Sequence, residues 1–139
     1  MKQSFRYKAH IQAIPSIRKD LDELKNQWKL PPSEMRQILV IIEELFSQII
    51  RLAPPGGDEH MVGIDMRFDG TWIEIEMKDD CQAFNPLDYD PEHVPDPLHH
   101  DEGGMGLALV KAFADHLAYS RVDPFNVVEI KKQIKSNSQ

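Results

Sequence analysis

Asp101-Glu102-Gly103-Gly104-Met105-Gly106-Leu107 is the most informative segment of this sequence, because it leads directly into an apolar run of helical period. That run continues through Leu109, Val110 and Ala114 and predicts a helix. Glycines ahead of a helix leave backbone N–H groups uncovered at its positive end, an arrangement that suits a phosphate group. For an isolated glycine-rich turn, a simple tight loop entry is the more ordinary interpretation. The rest of the chain has to distinguish these two interpretations.

Length and charge narrow the class of protein. The 139 residues suffice for one domain with a substantial core, and we predict a single domain over residues 1–134 and a polar tail over 135–139. A net charge of -7 without a basic block argues against a nucleic-acid partner. No apolar run reaches membrane-spanning length, so we expect a cytoplasmic protein without membrane contact. The lone cysteine, Cys81, excludes an internal disulfide.

The first part of the chain predicts a strand followed by a helix. Apolar residues alternate with polar ones from Phe5 to Ala13, which is the period-two pattern of a strand with one buried face. After the break at Ile14-Pro15-Ser16, apolar residues recur at helical spacing at Ile17, Leu21, Leu24 and Trp28. We therefore expect an amphipathic helix that ends near Leu30.

The segment after Pro31-Pro32-Ser33 carries the strongest helical pattern in the sequence, and prolines are tolerated in the first turn of a helix. Its apolar stripe consists of Met35, Ile38, Leu39, Ile42, Leu45, Phe46, Ile49 and Leu52. The prolines and glycines of Pro54-Pro55-Gly56-Gly57 predict the end of this second helix.

A line of polar residues runs beside that stripe. Glu44, Gln48 and Arg51 follow one another by four and three residues, so they stack along one line of the helix surface. Glu43 and Ser47 lie on the opposite flank. The two glutamates are equally far from the apolar stripe on a helical wheel.

Two alternating runs around Asp69-Gly70 predict a β-hairpin, for which this dipeptide is a strong signal. The residues expected to be buried are Val62, Ile64, Met66 and Phe68 in the first strand and Ile73, Ile75 and Met77 in the second. The same parity, carried past Met77, places Asp79 on the core face. A carboxylate is thus aimed toward the core at the end of a strand.

The last third predicts a lid, a helix and a strand pair. Residues 81–104 contain four prolines and no periodicity, which is typical of a functional lid or a mobile segment. The helix that follows has Leu107, Val110, Ala114 and Leu117 as its stripe, and the strands run from Tyr119 to Val122 and from Asn126 to Ile134. This order predicts an α+β fold, a two-layer α/β sandwich whose mixed, mainly antiparallel sheet is covered on one face by three helices.

Four segments, taken in order, carry a family resemblance. They are residues 42–50 (IEELFSQII), 79–87 (DDCQAFNPL), 103–111 (GGMGLALVK) and 126–132 (NVVEIKK). The first three resemble the successive boxes of the Bergerat-fold (GHKL) ATP-binding domains, and the fourth resembles their closing strand. Within this superfamily of gyrase, chaperone, histidine-kinase and mismatch-repair ATPases, the chain is most similar to the bacterial anti-sigma-factor serine/threonine kinases.

The resemblance implies roles for individual residues. Asp79 would accept a hydrogen bond from the adenine amino group, which distinguishes adenine from guanine. Glu44, favoured over Glu43 by its spacing to position 48, would be the general base that takes the proton of a serine hydroxyl. Arg51 would meet a phosphate oxygen. From the residues alone, each has a plain alternative: a turn-capping carboxylate, a solvated helix glutamate and an exposed helix cation.

The other cofactor-binding residues that the resemblance implies are Cys81, Ala83, Gly103, Gly104, Met105, Gly106 and Leu107. The family usually has glycine at the position of Cys81, so a thiol there narrows the pocket. Gln48 stands where the family has the asparagine that holds Mg²⁺. Glutamine carries the same amide oxygen on a stem one methylene longer, while Mg²⁺ demands near-octahedral geometry. Coordination by Gln48 either survives with a shifted helix or fails.

Two functions are consistent with these features. The first is an ATP- and Mg-dependent serine/threonine kinase that phosphorylates an anti-sigma antagonist and regulates a sigma factor by partner switching. The second is a degenerate binding module of the same fold, which acts by protein contact with weak or no nucleotide turnover. The resemblance also implies a homodimer, and the departures at Gln48 and Cys81 support the second function.

Overall fold

The computed structural model describes residues 1–52, 60–87 and 104–135, with the backbone alone for residues 104 and 105. These ranges contain β1 (Lys2–Lys8), α1 (Ile14–Trp28), α2 (Pro32–Leu52), β2 (Met61–Phe68), β3 (Trp72–Asp79), α3 (Gly104–Phe113), β4 (His116–Val122) and β5 (Phe125–Gln133). The order of elements is the predicted one. The helix-ending segment 54–57, most of the predicted lid and most of the polar tail lie outside the described residues.

The strands form one sheet in the order β1-β2-β3-β5-β4. All four pairings are antiparallel, so the sheet is antiparallel throughout where the sequence predicted a mixed, mainly antiparallel one. Asp79, at the end of β3, lies opposite Val62 on one side and Asn126 on the other. The predicted α+β fold of helices over a sheet is confirmed.

The two faces of the sheet differ sharply. Apolar residues on the helix side, among them Ile64, Ile75 and Ile130, are buried with the helices in one core. On the other face, Asp65, Glu76 and Glu129 lie directly opposite one another on three neighbouring strands. Three carboxylates therefore form a row across the sheet, which we call the acidic row.

β1 is shorter than the alternating pattern predicted. Its pairing with β2 stops at Lys8, and Ile11–Ala13 form a 3-10 turn that the imidazole of His10 caps. Pro15 lies in the first turn of α1, where its fixed φ favours a helix start. Because the helix begins at Ile14, the chain has to turn before it, and the strand cannot extend to Ala13.

α1 buries its whole predicted stripe, and α2 buries its own except for Leu39 and Leu52, which are half-buried. All four apolar residues expected on the inner face of α1 are buried. Lys29 closes that helix in the left-handed conformation, with φ at 53°. On α2 the buried residues are Met35, Ile38, Ile41, Ile42, Leu45, Phe46, Gln48 and Ile49. Gln48 is the polar member of this set.

The hairpin between β2 and β3 turns at Asp69-Gly70, as predicted. The Asp69 carboxylate accepts hydrogen bonds from the backbone N–H groups of Thr71 and Trp72 at 2.8 and 2.7 Å. Gly70 has a φ of 101°, which residues with a side chain rarely adopt. This turn sets the register that brings Asp79 to the core face.

α3 ends at Phe113, before the end of the stripe that the sequence predicted. Leu117 belongs to β4, where it pairs with Ile130, so its helical spacing from Ala114 is coincidental. Lys132 closes the helix end, because its Nζ donates to the Phe113 carbonyl at 2.9 Å. The Lys132 side chain is only 7% exposed and also pairs with Glu34 of α2 at 3.5 Å.

Within residues 1–52, 60–87 and 104–135, no helix combines the length and the apolar character needed to cross a membrane.

Candidate functional site

Glu44 of α2 lies against Gly106 in the first turns of α3. A Cβ built on Gly106 would overlap the Glu44 carboxylate, so no residue larger than glycine fits there without moving that side chain. The glycine that the sequence assigned to a phosphate nest is therefore also the residue that lets a carboxylate approach the helix backbone. This contact joins two of the predicted site segments.

The neighbouring glutamate faces another helix. Glu43 accepts two hydrogen bonds from Arg18 of α1, at 3.0 Å from Nε and 2.7 Å from Nη2. The helical wheel could not separate Glu43 from Glu44, whereas the structure directs one toward α1 and the other toward α3. Of the two, only Glu44 lies beside the glycine-rich helix start.

Asp79 is buried at the end of β3, as the strand parity predicted, and is 4% exposed. Its Oδ1 accepts hydrogen bonds from the backbone N–H of Cys81 and from Nδ2 of Asn126, each at 3.0 Å. The Cys81 contact is the turn-capping bond considered as an alternative, so the carboxylate caps a turn while occupying the predicted site. These two bonds fix the orientation of the Asp79 side chain.

Asn126 was not identified as a site residue from the sequence. Its Nδ2 donates to Asp79 and to the Gln82 carbonyl at 2.8 Å, while its Oδ1 accepts from the Phe84 N–H at 3.1 Å and the Tyr119 hydroxyl at 2.6 Å. The sequence does contain a signal for Asn126. It begins the alternation that buries Val128 and Ile130, so it is a polar residue on the core face of a strand. It fastens β5 to the segment that follows β3.

Cys81 is buried, with 2% of its surface exposed, whereas Ala83 is exposed. Burial raises the pKa of the Cys81 thiol from 9.0 to about 12, and the negative charges of Asp79 and Asp80 add to the effect. Arg121 donates to the Cys81 carbonyl at 2.9 Å. A neutral, inward-facing thiol thus occupies the position where the resembling family has glycine.

His60, Asp80 and Cys81 bring three potential metal ligands within 4.8 Å of one another. His60 Nδ1 and Asp80 Oδ1 already share a hydrogen bond at 3.0 Å. Zinc and related metals bind the thiolate form of cysteine. In the absence of a metal ion the Cys81 thiol is neutral, and His60 and Asp80 form a hydrogen-bonded pair beside it.

Gln48 and Arg51 lie on the line of α2 that Glu44 begins. Gln48 is 7% exposed, and its Oε1 accepts a long hydrogen bond of 3.5 Å from Arg51 Nη1. Its Nε2 is buried and has no hydrogen-bond partner within residues 1–52, 60–87 and 104–135. A buried N–H donor without an acceptor costs free energy, so a ligand that supplies an acceptor would be favoured here.

The glycine-rich segment is described in part. Gly103 lies outside the described residues, and residues 104 and 105 contribute backbone in the first turn of α3. The Leu107 side chain is buried in the core, so this residue has only its backbone to offer a ligand. The first N–H groups of a helix have no partner within it, which leaves this turn available to an anion.

These residues fit a nucleotide better than they fit a metal ion. An oriented buried carboxylate, the N-terminus of a helix and a basic side chain match an adenine, a phosphate and its charge. Mg²⁺ requires oxygen ligands, but the amide oxygen of Gln48 faces the Arg51 guanidinium. The donor set around Gln48 therefore does not suit the Mg²⁺ that the resemblance implied.

Comparisons with known proteins identify the family and the fold of the chain. Residues 7–132 match the family model described as Histidine kinase-like ATPase domain. The structure of the RsbU and RsbW domains of a Mycobacterium tuberculosis protein matches 100% of this chain with a TM-score of 0.71 and 13% identity, and this chain spans 34% of that one. The SiaB-SiaC complex from Pseudomonas aeruginosa matches over 95% of this chain and 89% of the other, with a TM-score of 0.57 and 17% identity. At these identities the structures establish a shared fold. No curated protein matches the sequence.

Proposed function

Because the chain belongs to the histidine kinase-like ATPase domain family, we propose that it binds ATP between α2 and α3 and transfers the γ-phosphate to a serine or threonine of an antagonist protein. The contact between Glu44 and Gly106 carries this proposal. It sets a carboxylate beside the helix start expected to hold the phosphates.

The adenine contact rests on Asp79. A carboxylate accepts hydrogen bonds, so it favours the amino group of adenine over the carbonyl oxygen of guanine. Asn126 and the Cys81 N–H hold that carboxylate in place before any nucleotide arrives. Preorganisation of this kind lowers the entropic cost of binding.

In the transfer step, Glu44 acts as general base. It takes the proton of the serine or threonine hydroxyl as that oxygen forms a bond to the γ-phosphorus, and the bond from this phosphorus to the bridging oxygen breaks in line. The products are a phosphoserine or phosphothreonine and ADP. Arg51, two turns along α2 from Glu44, offsets the negative charge of the phosphates.

The partners are proposed from the relatives. One related structure contains an RsbW domain with an RsbU domain, and the other contains SiaB with SiaC. We propose that this chain, as a homodimer in the cytoplasm, likewise contacts an antagonist protein and through it regulates a sigma factor. In such partner switching, phosphorylation of the antagonist would release it.

A second candidate is a binding module with weak or no turnover, which the orientation of Gln48 favours. Its amide oxygen is directed at Arg51, away from a metal-binding arrangement, and most kinases depend on Mg²⁺ for phosphoryl transfer. Such a module would still bind nucleotide and would still contact the antagonist.

Radiolabelled ATP separates these candidates. The purified chain is mixed with the antagonist-like protein encoded beside its gene, with Glu44→Gln as the test variant and Glu43→Gln as the matched control. The kinase proposal expects labelled antagonist with wild type and the control, and at least a hundredfold less with Glu44→Gln although calorimetry finds ATP binding intact. ATP binding without transfer by wild type would favour the binding module, and no ATP binding would overturn both candidates.

A further inference from the structure

The unpartnered amide nitrogen of Gln48 identifies the kind of ligand that reaches α2. The side chain is more than nine-tenths buried, and its Nε2 has no acceptor among the residues that the structure describes. A buried donor in this state needs an acceptor, and a ligand that brings one would satisfy it. An anion supplies acceptors, and a metal ion supplies none.

The contact with Arg51 indicates how the oxygen and the nitrogen of the Gln48 side-chain amide are oriented. A guanidinium has only N–H donors, so the long contact of 3.5 Å with Arg51 Nη1 favours the amide oxygen on that side and the nitrogen on the other. Exchanging the two ends would set donor against donor. The orientation in which Nε2 has no partner within the described part of the chain is therefore the one that the Arg51 contact favours.

The same contact disfavours a divalent cation. Mg²⁺ at Gln48 would need the amide oxygen that now accepts from Arg51, and it would lie beside a permanent positive charge. Gln48 Nε2 and Arg51 instead offer N–H donors on successive turns of one helix line. Both groups suit the oxygens of a phosphate chain.

Resting on the proposed nucleotide site, we infer that Gln48 and Arg51 bind the phosphate chain of ATP directly and that no divalent metal is required for binding. The Gln48 amide donates from Nε2 to a phosphate oxygen. The Arg51 guanidinium supplies the positive charge that a metal ion supplies elsewhere. The substitution of glutamine in the first box is, on this account, a change from metal ligand to phosphate ligand.

The wild-type chain tests this inference by isothermal titration with ATP, once in excess EDTA and once in excess MgCl₂. We expect the affinity in EDTA to be equal within about twofold to that in MgCl₂, or tighter. An affinity at least tenfold weaker in EDTA would overturn the inference and leave ATP binding standing. No binding in either buffer would overturn the nucleotide site itself.

Gln48→Glu adds an isosteric test, because it replaces the N–H donor with an acceptor oxygen. We expect ATP affinity in EDTA to fall at least tenfold and MgCl₂ to restore most of the loss, since a carboxylate can hold the metal. The matched control Gln37→Glu, the same change near the start of α2, should bind like wild type in both buffers. Unchanged affinity of Gln48→Glu in EDTA would contradict a donor role for Nε2. Thermal melting checks the fold, and if Gln48→Glu is unfolded the wild-type titration decides alone.

Discussion

Asn126 joins the start of β5 to the chain after β3 through hydrogen bonds to Asp79, Gln82, Phe84 and Tyr119, none longer than 3.1 Å. One amide thus satisfies buried donors and acceptors from three segments. Buried polar groups left without partners cost more than the bonds themselves contribute. The position of the Asp79 carboxylate therefore depends on a residue far from it in sequence.

Replacing Asn126 tests this dependence. We expect Asn126→Ala to lower the free energy of unfolding by about 2–3 kcal/mol, because several buried groups lose their partner, and to weaken ATP binding while the protein remains folded. Urea unfolding and ATP titration measure the two effects. Tyr119→Phe is the control: it removes one hydroxyl bonded to the same amide, should cost about 1 kcal/mol and should leave ATP affinity unchanged. Equal losses of affinity in both variants would contradict a specific role in orienting Asp79.

Cys81 predicts a dependence of stability on pH. Burial raises the pKa of its thiol to about 12 in the folded chain, whereas the unfolded chain releases this proton near pH 9. Between these values the folded state binds more protons, so stability should fall with rising pH by up to about 1.4 kcal/mol per unit. Urea unfolding at pH 8, 9 and 10 measures the slope. Cys81→Ala should flatten it, and parallel slopes for the two proteins would contradict the assignment to Cys81.

At the scale of elements, the approach of α2 to α3 depends on Gly106. In an ordinary helix, replacing glycine by alanine stabilises by about 1 kcal/mol. Here the added methyl group would collide with the Glu44 carboxylate. The close approach of α2 and α3 at this point therefore depends on the absence of a side chain at Gly106.

A double-mutant cycle separates these opposing effects. Gly106→Ala alone should change the free energy of unfolding by less than about 0.5 kcal/mol, because displacing the flexible Glu44 side chain offsets the gain in helix propensity. In a Glu44→Ala background the same change should stabilise by about 0.5–1 kcal/mol, because the obstructing carboxylate is gone. Chemical denaturation of the four proteins gives the coupling energy. Equal effects of Gly106→Ala in the two backgrounds would show that Glu44 and Gly106 are not in contact.

Periodicity predicted the elements whose apolar residues share one face, namely α1, α2, β2 and β3. It failed at boundaries set by other forces. Helix initiation at Pro15 ended β1 early, and pairing with Ile130 placed Leu117 in a strand although its spacing was helical. In each case a helix start or a strand pairing, which the local pattern does not show, determined the boundary.

The residues of the candidate site also fall into some that a local pattern predicts and others that depend on long-range contacts. The burial of Asp79 followed from strand parity, which needs only the neighbouring residues. The difference between Glu43 and Glu44 depends on which helix packs on each flank of α2. Three partners of Asn126, namely Asp79, Gln82 and Phe84, lie more than 40 residues away in the sequence. Such long-range contacts leave little signal in a single sequence.

At the scale of the molecule, Lys132 connects both layers. From the core face of β5 it reaches the last carbonyl of α3 and Glu34 near the start of α2. A buried cation is tolerated because these two groups satisfy it. The sheet is thereby tied to two of the helices that cover it.

Lys132→Met should therefore lower the free energy of unfolding by about 2 kcal/mol, because the Phe113 carbonyl and Glu34 lose their partner. The adjacent residue offers a matched control. Lys131 lies on the opposite face of β5 and pairs with Glu74 at 3.7 Å in an exposed position, so Lys131→Met should change stability by less than about 0.5 kcal/mol. Denaturant unfolding compares the two variants. Similar losses of stability would contradict a stabilising role for the buried contacts of Lys132.

The acidic row makes the protein respond to ionic strength in an unusual direction. Asp65, Glu76 and Glu129 repel one another across adjacent strands, and the whole chain carries a net charge of -7. Dissolved counterions shorten the Debye length and weaken this repulsion. Raising NaCl from 0.05 to about 0.5 M should therefore raise the melting temperature, and Glu76→Gln, which removes the central charge, should shrink that gain. Arg67, Glu74 and Lys131 on the same face alternate in sign, and salt weakens their attraction in wild type and variant alike. The difference between wild type and Glu76→Gln therefore isolates the repulsion along the acidic row.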